Sequence, residues 1–385
     1  MCERKVFILA ITDKFITMLK AYQYRLYPTK AQITRLNQTL EICRKVYNNT
    51  LVLRRNSWKY DQKSLSLFDT NKELTQWKKK FPELKTVFSQ VLMNVQVRVD
   101  LAYKAFFRRV KSGENPGYPR FKSVGRYDSI TYSQFGFKIE DKTIYASKIG
   151  DIKIIFHRPF EGNVKTLGIR KTSTQKWYAS IVCEDVPRHI LPDSGEHVGI
   201  DVGLKTFATM SNGQVIENPQ FYQTEEENLA IVSRKMSRYK TGSVEFKKTR
   251  KAVVRVHEKI LNRREDFTQK LSRSLVNRYG VICFEDLSIS ELLEVSRCAK
   301  GIMDASWSKL IQYTTYKAED AGRSVVLVNP RNTSQMCSRC GQIVKKDLSV
   351  RVHDCPHCGL VLDRDLNAAI NILRLGLQSH IKAHG

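Results

Sequence analysis

The sequence predicts a multidomain α/β protein, and three features of its hydrophobic pattern support this fold class. Two amphipathic helical stretches precede a Gly/Pro-rich break at Gly113–Pro119. Apolar and polar residues then alternate in short runs at residues 121–186, which is typical of antiparallel strands. From His197 onward, short apolar strands alternate with helical segments, as in an α/β sheet. A chain of 385 residues is long enough for two or three such domains.

The composition indicates a folded protein with a polyanionic partner. The chain has 65 Lys and Arg against 38 Asp and Glu, which gives a net charge of +27. Hydrophobic residues make up 42% of the chain, which excludes wholesale disorder. No apolar run approaches the ~20 residues that a membrane span needs, which excludes a spanning protein. Nucleic acid is therefore the first expected partner and an acidic membrane surface the second.

The N-terminal part predicts one strand and two helices. Residues 1–17 share little with the rest of the chain, and we expect them to be a non-essential extension. The alternation of apolar and polar residues at Leu19–Tyr27 predicts a strand. Thr29 and Gln32 form a capping-box pattern ahead of apolar residues spaced three and four apart, which predicts a helix. A second amphipathic helix is expected near residues 86–110.

Two strongly basic segments are candidates for nucleic-acid contacts. Residues 21–130 carry 22 Lys and Arg against 8 Asp and Glu, an excess that favours phosphate contacts over a merely solvated face. Residues 231–278 carry 15 against 4 and are expected to be helical. Arg263 and Arg264 then face a nucleic-acid channel or simply solvent, and we favour the channel. The apolar side chains expected to pack this segment on a sheet are Leu261, Phe267, Leu271 and Leu275.

The C-terminal part predicts the strands and last helix of an α/β domain. An Asn-Gly pair at Asn212 and Gly213 predicts a two-residue hairpin turn between strands. The last helix has Leu366, Ile370 and Leu373 on its apolar face. Short apolar runs predict buried strands, and these lie at Val198–Gly203, Phe207–Met210, Val281–Phe284 and Val325–Val328.

Four of the nine cysteines predict a structural metal site. Each of two C-x-x-C pairs is followed by glycine, which lets the chain turn so that backbone amides face the sulfurs. Four sulfurs suit one structural Zn²⁺ and leave no open position for catalysis. The other five are scattered, which fits a reducing compartment and a cytoplasmic, nucleoid-associated protein. We expect His353 and His357 to be surface residues. The four predicted zinc ligands are Cys337, Cys340, Cys355 and Cys358.

Three acids at strand or helix ends form a candidate catalytic set. Asp201 lies in a predicted strand, Glu285 comes directly after another, and Asp365 opens the last helix. Each also has a purely structural interpretation, namely a turn, a surface strand end and a helix N-cap. Taken together, they are expected to converge where sheets of this class bind ligands. Two Mg²⁺ ions would offset their repulsion and could activate water against a phosphodiester.

These residues also carry a resemblance to a known family. The strings GIDVGLKTFA, FEDLS and NPRNTSQMCSRCG…CPHCGLVLDRDLNAAINIL resemble the TnpB (OrfB) family of transposon-encoded proteins, relatives of type V CRISPR nucleases. YQYRLYPTKAQ and GYPRFKS resemble its N-terminal motifs, so the match covers about residues 18–375. The resemblance implies an RNase H-like (RuvC) nuclease domain with an inserted zinc ribbon, plus an N-terminal helical lobe and a small β-barrel. It also implies a guide RNA and a DNA target as partners.

The resemblance implies the following domain boundaries, in the order in which the family's domains follow one another along the chain. After the extension at 1–17, they are 18–33 for the first part of the β-barrel (wedge) domain, 34–120 for the helical lobe, 121–190 for the rest of the barrel, 191–335 for the nuclease domain, 336–360 for the zinc ribbon and 361–385 for the last nuclease helix and tail.

By the family motif, the three acids have distinct expected roles. Asp201 and Asp365 would hold Mg²⁺ on the substrate phosphate, while Glu285 would help to place a second ion. Asp363 is the alternative to Asp365 and is expected to be a structural neighbour. Near this set, Arg331 and Gln335 either contact phosphate or only cap their loop, and both interpretations stay open.

The expected function is that of a transposon-encoded, RNA-guided DNA endonuclease with a two-metal mechanism. The guide RNA would come from the flanking element. One alternative is a DNA transposase that transfers strands with the same carboxylates. The other is a nuclease-independent DNA-binding repressor. The three intact acids favour the nuclease over the repressor.

Overall fold

A computed structural model describes residues 17–288, 299–347 and 350–384. All but the last residue of the expected extension at 1–17 lies outside these ranges. The chain divides into two compact units, residues 1–187 and 188–385. Within the described ranges, no helix is both long and apolar enough to cross a membrane.

The first unit contains a seven-stranded antiparallel sheet in the order β2-β6-β7-β1-β5-β4-β3. The N-terminal strand β1 lies at its centre and pairs with β5 and β7, because Tyr22, Tyr24 and Leu26 alternate inward and are buried. Within residues 17–187, β2 and β3 are the two ends of this order and are joined by residues 133–136, and the expected barrel stays a prediction. Its strands are β1 Thr17–Tyr27, β2 Ser129–Tyr132, β3 Phe137–Ile139, β4 Thr143–Ala146, β5 Gly150–Ile155, β6 Asn163–Lys171 and β7 Trp177–Pro187.

The helices of the first unit are α1 Lys30–Asp61, α2 Leu67–Lys80 and α3 Ser89–Lys111, with a 3₁₀ turn at Pro82–Thr86. The predicted capping box is confirmed. The amide of Gln32 donates to Oγ1 of Thr29 at 3.3 Å, and the amide of Thr29 donates to Oε1 of Gln32 at 2.9 Å. Helix α2 was not predicted from the sequence.

The second unit contains a five-stranded mixed sheet in the order β10-β9-β8-β11-β12. Strand β8 is antiparallel to β9 and parallel to β11, which is in turn parallel to β12. The predicted Asn-Gly turn is confirmed between β9 and β10, where Gly213 has φ of 85°. The strands are β8 His197–Val202, β9 Thr206–Met210, β10 Val215–Glu217, β11 Val281–Glu285 and β12 Ser324–Val328.

Five helices and a small hairpin complete the described part of the second unit. The basic segment forms α4 Phe221–Ser237 and α5 Val244–Arg278, and the later helices are α6 Ala299–Ala305, α7 Trp307–Ala321 and α8 Arg364–His384. Phe267, Leu271 and Leu275 of α5 join the apolar core, as predicted, but Leu261 is 49% exposed. That prediction was wrong because Ile260 is the residue that α5 buries against α4. The hairpin is β13 Val352–Asp354 with β14 Val361–Asp363.

Helix α8 packs directly on strands β8 and β11 because two glycines let it approach. A Cβ atom on Gly199 of β8 would lie 2.2 Å from the carbonyl oxygen of Ala369. A Cβ on Gly376 of α8 would lie 2.2 Å from Sγ of Cys283 in β11. Since real Cβ atoms do not approach so closely, glycine at these positions sets the distance between the helix and the sheet.

This contact gives a first testable prediction. Gly199→Ala should force helix and sheet apart and lower the free energy of unfolding by about 2 kcal/mol. Denaturant unfolding measures the loss. Gly117→Ala is the matched control, because a Cβ there meets no atom within 4 Å. Equal stability of the two variants would contradict the close packing.

Candidate functional site

Asp201 and Glu285 lie side by side on neighbouring parallel strands. In the pairing of β8 with β11, Ile200 is opposite Phe284. Each acid is the next residue after this pair, so both occupy the same level at the carboxyl edge of the sheet. Both side chains are partly buried. The sheet register therefore brings together two of the three predicted acids.

Asp365 lies in the first turn of α8, and Asp363 caps that helix. Oδ1 of Asp363 accepts hydrogen bonds from the backbone amides of Asp365 at 2.9 Å and Leu366 at 3.0 Å. The capping role that we had considered for Asp365 thus belongs to Asp363. The carboxylate of Asp365 instead pairs with Arg364 at 2.9 Å and Arg351 at 3.6 Å.

The three acids share one electrostatic environment. Burial, and after it the negative charges of Glu285 and Asp365, raises the pKa of Asp201 well above its usual value, and Arg364 opposes this shift. The pKa of Glu285 is also raised, because the effect of burial outweighs the hydrogen bond from Thr333, which by itself lowers the pKa. A cation placed among these groups would favour their ionised forms. The site is therefore one that gains from binding positive charge.

The acids are grouped more loosely than the ligands of a single ion. In the described ranges, the only set of three or more potential ligands whose atoms all lie within 4.8 Å of one another is the four-cysteine cluster. The oxygens of Asp201, Glu285 and Asp365 do not meet this limit.

The four predicted cysteine ligands form a compact cluster. Sγ of Cys337 lies 3.6 Å from that of Cys358, and Sγ of Cys340 lies 3.6 Å from that of Cys355. Four sulfurs arranged tetrahedrally at about 2.3 Å from an ion stand about 3.8 Å apart. The cluster could therefore hold one metal ion. These separations are far too long for disulfide bonds.

Two equivalent turns build this cluster. The amide of Gly341 donates to the carbonyl of Cys337, and the amide of Gly359 donates to the carbonyl of Cys355, each at 2.9 Å. Both glycines have positive φ, 78° and 69°, as the tight turn after each C-x-x-C pair requires. The sequence pattern of paired cysteines with a glycine after each pair thus produces two matching knuckles.

The surroundings favour the thiolate at Cys337 but not at Cys358, where burial and the neighbouring thiols raise the pKa to about 12. One prediction about these surroundings was wrong. Burial raises the pKa of Cys337, but the backbone amides of Cys340 and Arg339 and the neighbouring His353 outweigh it and lower that pKa to about 5. We expected His353 on the surface, whereas it is fully buried beside the cluster, with Nδ1 2.5 Å from Nζ of Lys346. It faces inward because the β13–β14 hairpin pairs it with Leu362. His357 is exposed, as predicted.

Sequence reasoning missed three buried polar residues between the acids and the cysteines. Thr333 donates from Oγ1 to Oε1 of Glu285 at 2.5 Å. Asn367 and Asn371, both fully buried in α8, donate to the carbonyl of Met336 at 2.8 and 2.6 Å. The available signal was two asparagines four residues apart in an otherwise apolar stretch of helix.

Arg331 and Gln335 lie in the loop between β12 and the first knuckle. Arg331 is exposed, and its backbone amide donates to the side chain of Asn329 at 2.9 Å. Gln335 is half-buried, and its carbonyl accepts from the amide of Val344 at 3.0 Å. Their proposed contacts with phosphate stay a prediction.

The two predicted arginines of α5 lie in different environments. Nε of Arg264 donates to Oδ1 of Asp304 at 2.7 Å, and both side chains are largely buried. Because Asp304 also accepts from the amide of Tyr222, Arg264 helps to join α4, α5 and α6 and does not face a channel, which corrects our expectation. Arg263 is 44% exposed beside Glu225, and its role in nucleic-acid binding stays a prediction.

Three family models match the chain. Residues 18–63 match a "Helix-turn-helix domain" of the OrfB family, and residues 180–296 match the same family's "Probable transposase" model. Residues 307–372 match a "Cas12f1-like, TNB domain". The last range contains Thr333 and all four clustered cysteines.

Relatives resemble the chain along most of its length. A Streptomyces pristinaespiralis protein named "Putative RNA-guided DNA endonuclease" is 34% identical, over 93% of this chain and 89% of its own. The Sulfoacidibacillus thermotolerans protein "CRISPR-associated endodeoxyribonuclease Cas12f1" is 28% identical, over 51% of this chain and 50% of its own. Among solved structures, a Cas12f1–sgRNA–target DNA complex aligns with a TM-score of 0.61 at 14% identity, covering 92% of this chain and 98% of that one. This last likeness supports the α/β fold.

Proposed function

Because the chain belongs to the TnpB (OrfB) family, we propose that it is a transposon-encoded, RNA-guided DNA endonuclease whose active site is the carboxyl edge of the five-stranded sheet. The observation that carries the proposal is the register of β8 with β11, which places Asp201 and Glu285 side by side at that edge, where the charge of Asp365 also acts on Asp201. In this interpretation, the second unit is a nuclease domain of the RuvC type, and Asp363 is its helix cap.

The carboxylate set fits Mg²⁺, which prefers oxygen ligands and needs few from the protein. When bound, a pair of such ions activates water and stabilises the leaving oxygen of a phosphodiester. Asp201 and Asp365 would hold Mg²⁺ on the substrate phosphate, and Glu285 would help to place a second ion. The charges of both other acids act on Asp201. Arg351 and Arg364 balance the charge of Asp365 and lie where a substrate phosphate could accept from them.

The cysteine cluster is proposed as a structural zinc site. All four ligands are sulfur, and a tetrahedral ion that they hold has no position left for substrate. Cys337 comes immediately after the loop that carries Thr333, so the ion would stabilise a segment that contacts Glu285. Zinc would thus affect catalysis only by stabilising the segment that contacts Glu285.

The partners are proposed to be a guide RNA encoded by the flanking element and a DNA target. Residues 21–130 carry 22 basic and 8 acidic residues, and this surplus of positive charge supplies a surface that attracts polyanions. The guide itself is suggested by the names of the relatives.

Purification with bound RNA tests the function. The full chain, expressed together with its flanking element, should carry one discrete RNA, and this complex should cut a matching DNA in Mg²⁺ but not in EDTA. Glu285→Gln should bind the DNA without cutting it. A complex that retains its RNA but never cuts in Mg²⁺ would support the repressor alternative instead.

The charge excess predicts a steep response to salt. Each phosphate contact adds about 0.9 to the negative slope of log affinity against log salt concentration on duplex DNA. With several contacts, we expect a slope of about −5 or steeper in filter-binding titrations. A flat response would contradict the basic segments as the binding surface.

Strand transfer is the second candidate function, since residues 180–296 match a model described as a transposase. The same carboxylates could serve either reaction, so the site geometry does not separate them. An assay with labelled transposon ends separates the two reactions. Joined products in Mg²⁺ would favour strand transfer, whereas cut ends alone would favour the endonuclease.

A further inference from the structure

Thr333 lies between the candidate active site and the cysteine cluster. It is 2% exposed, and its Oγ1 is 2.5 Å from Oε1 of Glu285 and 3.0 Å from the carbonyl oxygen of Pro330. A hydroxyl has one hydrogen to donate, and the shorter contact is with the carboxylate. A hydrogen bond to a charged acceptor is the stronger of the two. The hydroxyl is therefore a donor dedicated to Glu285.

The loop that carries Thr333 is fastened to helix α8. Nδ2 of Asn371 donates to the carbonyl of Thr333 at 2.9 Å and to that of Met336 at 2.6 Å. Asn367 donates to the same Met336 carbonyl and accepts at 2.9 Å from the amide of Ser338. Both asparagines are fully buried, so the loop cannot shift without leaving buried polar groups unpaired.

The same helix carries Asp365. Asn367 and Asn371 lie two and six residues after this acid, within the first two turns of α8. The loop thus connects two acids that are 80 positions apart in the chain. One end of the connection is a side-chain contact with Glu285, and the other is a rigid helix.

From this arrangement we propose that Thr333 is a positioning residue that holds the Glu285 carboxylate in the orientation needed to bind a divalent cation jointly with Asp201. This inference rests on the proposed nuclease function and assigns a role to a residue outside the acid set. Glutamate has three rotatable side-chain bonds, and a fixed donor removes most of the orientations that would point away from the site.

Two substitutions separate the hydroxyl from the rest of the side chain. Thr333→Val keeps the volume and removes the donor, while Thr333→Ser keeps the donor and removes a methyl group. In the RNA complex, we expect Thr333→Val to lower the single-turnover cleavage rate about tenfold, the loss expected for one hydrogen bond to a charged group. Thr333→Ser should restore most of the rate. DNA affinity should change less than twofold in both.

A metal titration provides a readout that does not depend on cleavage. Mn²⁺ alone, monitored by electron paramagnetic resonance on the full chain, should require about a fivefold to tenfold higher concentration for half-loading in Thr333→Val than in wild type or Thr333→Ser. Glu285→Gln sets the weak-binding reference.

The outcomes distinguish this inference from the proposed function. If the wild type cleaves and Thr333→Val matches it in both rate and Mn²⁺ loading, the positioning role is overturned. If Thr333→Val and Thr333→Ser lose rate equally, the role is packing and the inference is again wrong. If the wild type never cleaves, the nuclease proposal fails, while the Mn²⁺ titration still decides on Thr333.

Discussion

Replacing Asp365 with asparagine is expected to lower the rate of DNA cleavage about 10³-fold or more, whereas the same replacement at Asp363 should leave most of it. Asp365 contributes a carboxylate to the shared environment of Asp201. An amide has no charge to give a cation, and losing one such ligand at a reacting phosphate costs several kcal/mol. Asp363 contributes mainly a cap to α8, and asparagine caps helices as well as aspartate does.

Single-turnover cleavage of a labelled target by the RNA complex measures both rates. DNA affinity, measured in Ca²⁺ to prevent cutting, should match the wild type in both variants. The two substitutions remove the same charge two residues apart, so each controls for the other. The reverse ranking, with Asp363→Asn inactive and Asp365→Asn active, would show that the assignment of the third acid is wrong.

Local sequence signals predicted the parts of the fold that depend on neighbouring residues. The alternation in β1, the Thr29 capping box and the Asn-Gly turn at Gly213 each depend on a few adjacent positions, and the structure confirms them. Helices α2 and α7 were not predicted, although Ser66 with Asp69 forms another capping box. Helix α2 buries only Thr70 and Leu74, so its apolar pattern is weak, whereas α7 buries Lys317 and Asp320 beside its apolar residues, so its sequence pattern does not mark the buried face.

The acids of the candidate site could be selected from the sequence, but their arrangement in space could not be predicted from it. The acids could be selected because each ends a strand or begins a helix, and because the motifs resemble a known family. The arrangement of the acids depends on the register of β8 with β11, two strands that are about 80 residues apart in the chain. It also depends on Gly199, whose lack of a side chain lets α8 pack against the sheet. Contacts between distant segments have no local sequence signal.

Buried polar residues were the main source of error. His353 was expected on the surface because four sulfurs already complete a metal site, yet the hairpin turns it inward. Arg264 was expected in a channel because of its charge, yet it pairs with Asp304. Asp304 satisfies Arg264, and Lys346 contacts Nδ1 of His353, while Nε2 of His353 has no hydrogen-bond partner among the described residues. Composition cannot reveal such partners.

Replacing Cys355 with serine is expected to remove the bound metal and to destabilise the second unit by about 4 kcal/mol or more, as losses of structural metal sites do. Cys355 is fully buried, and serine, a poor zinc ligand, leaves three of the four sulfurs. The wild type should contain one zinc ion per chain by elemental analysis, and the variant close to none. For a unit of this size, the melting temperature should fall by roughly 10 °C.

His357→Ser is the matched control because His357 is exposed in the same C-x-x-C turn and contributes no sulfur. It should keep its zinc and its melting temperature. Cleavage should also fall in Cys355→Ser, because the cluster secures Cys337 at the end of the loop that carries Thr333 to Glu285. If Cys355→Ser kept a full zinc ion and the wild-type melting temperature, the four-sulfur site would be refuted. If it lost zinc but cut DNA at the wild-type rate, the loop would not couple the cluster to the acids.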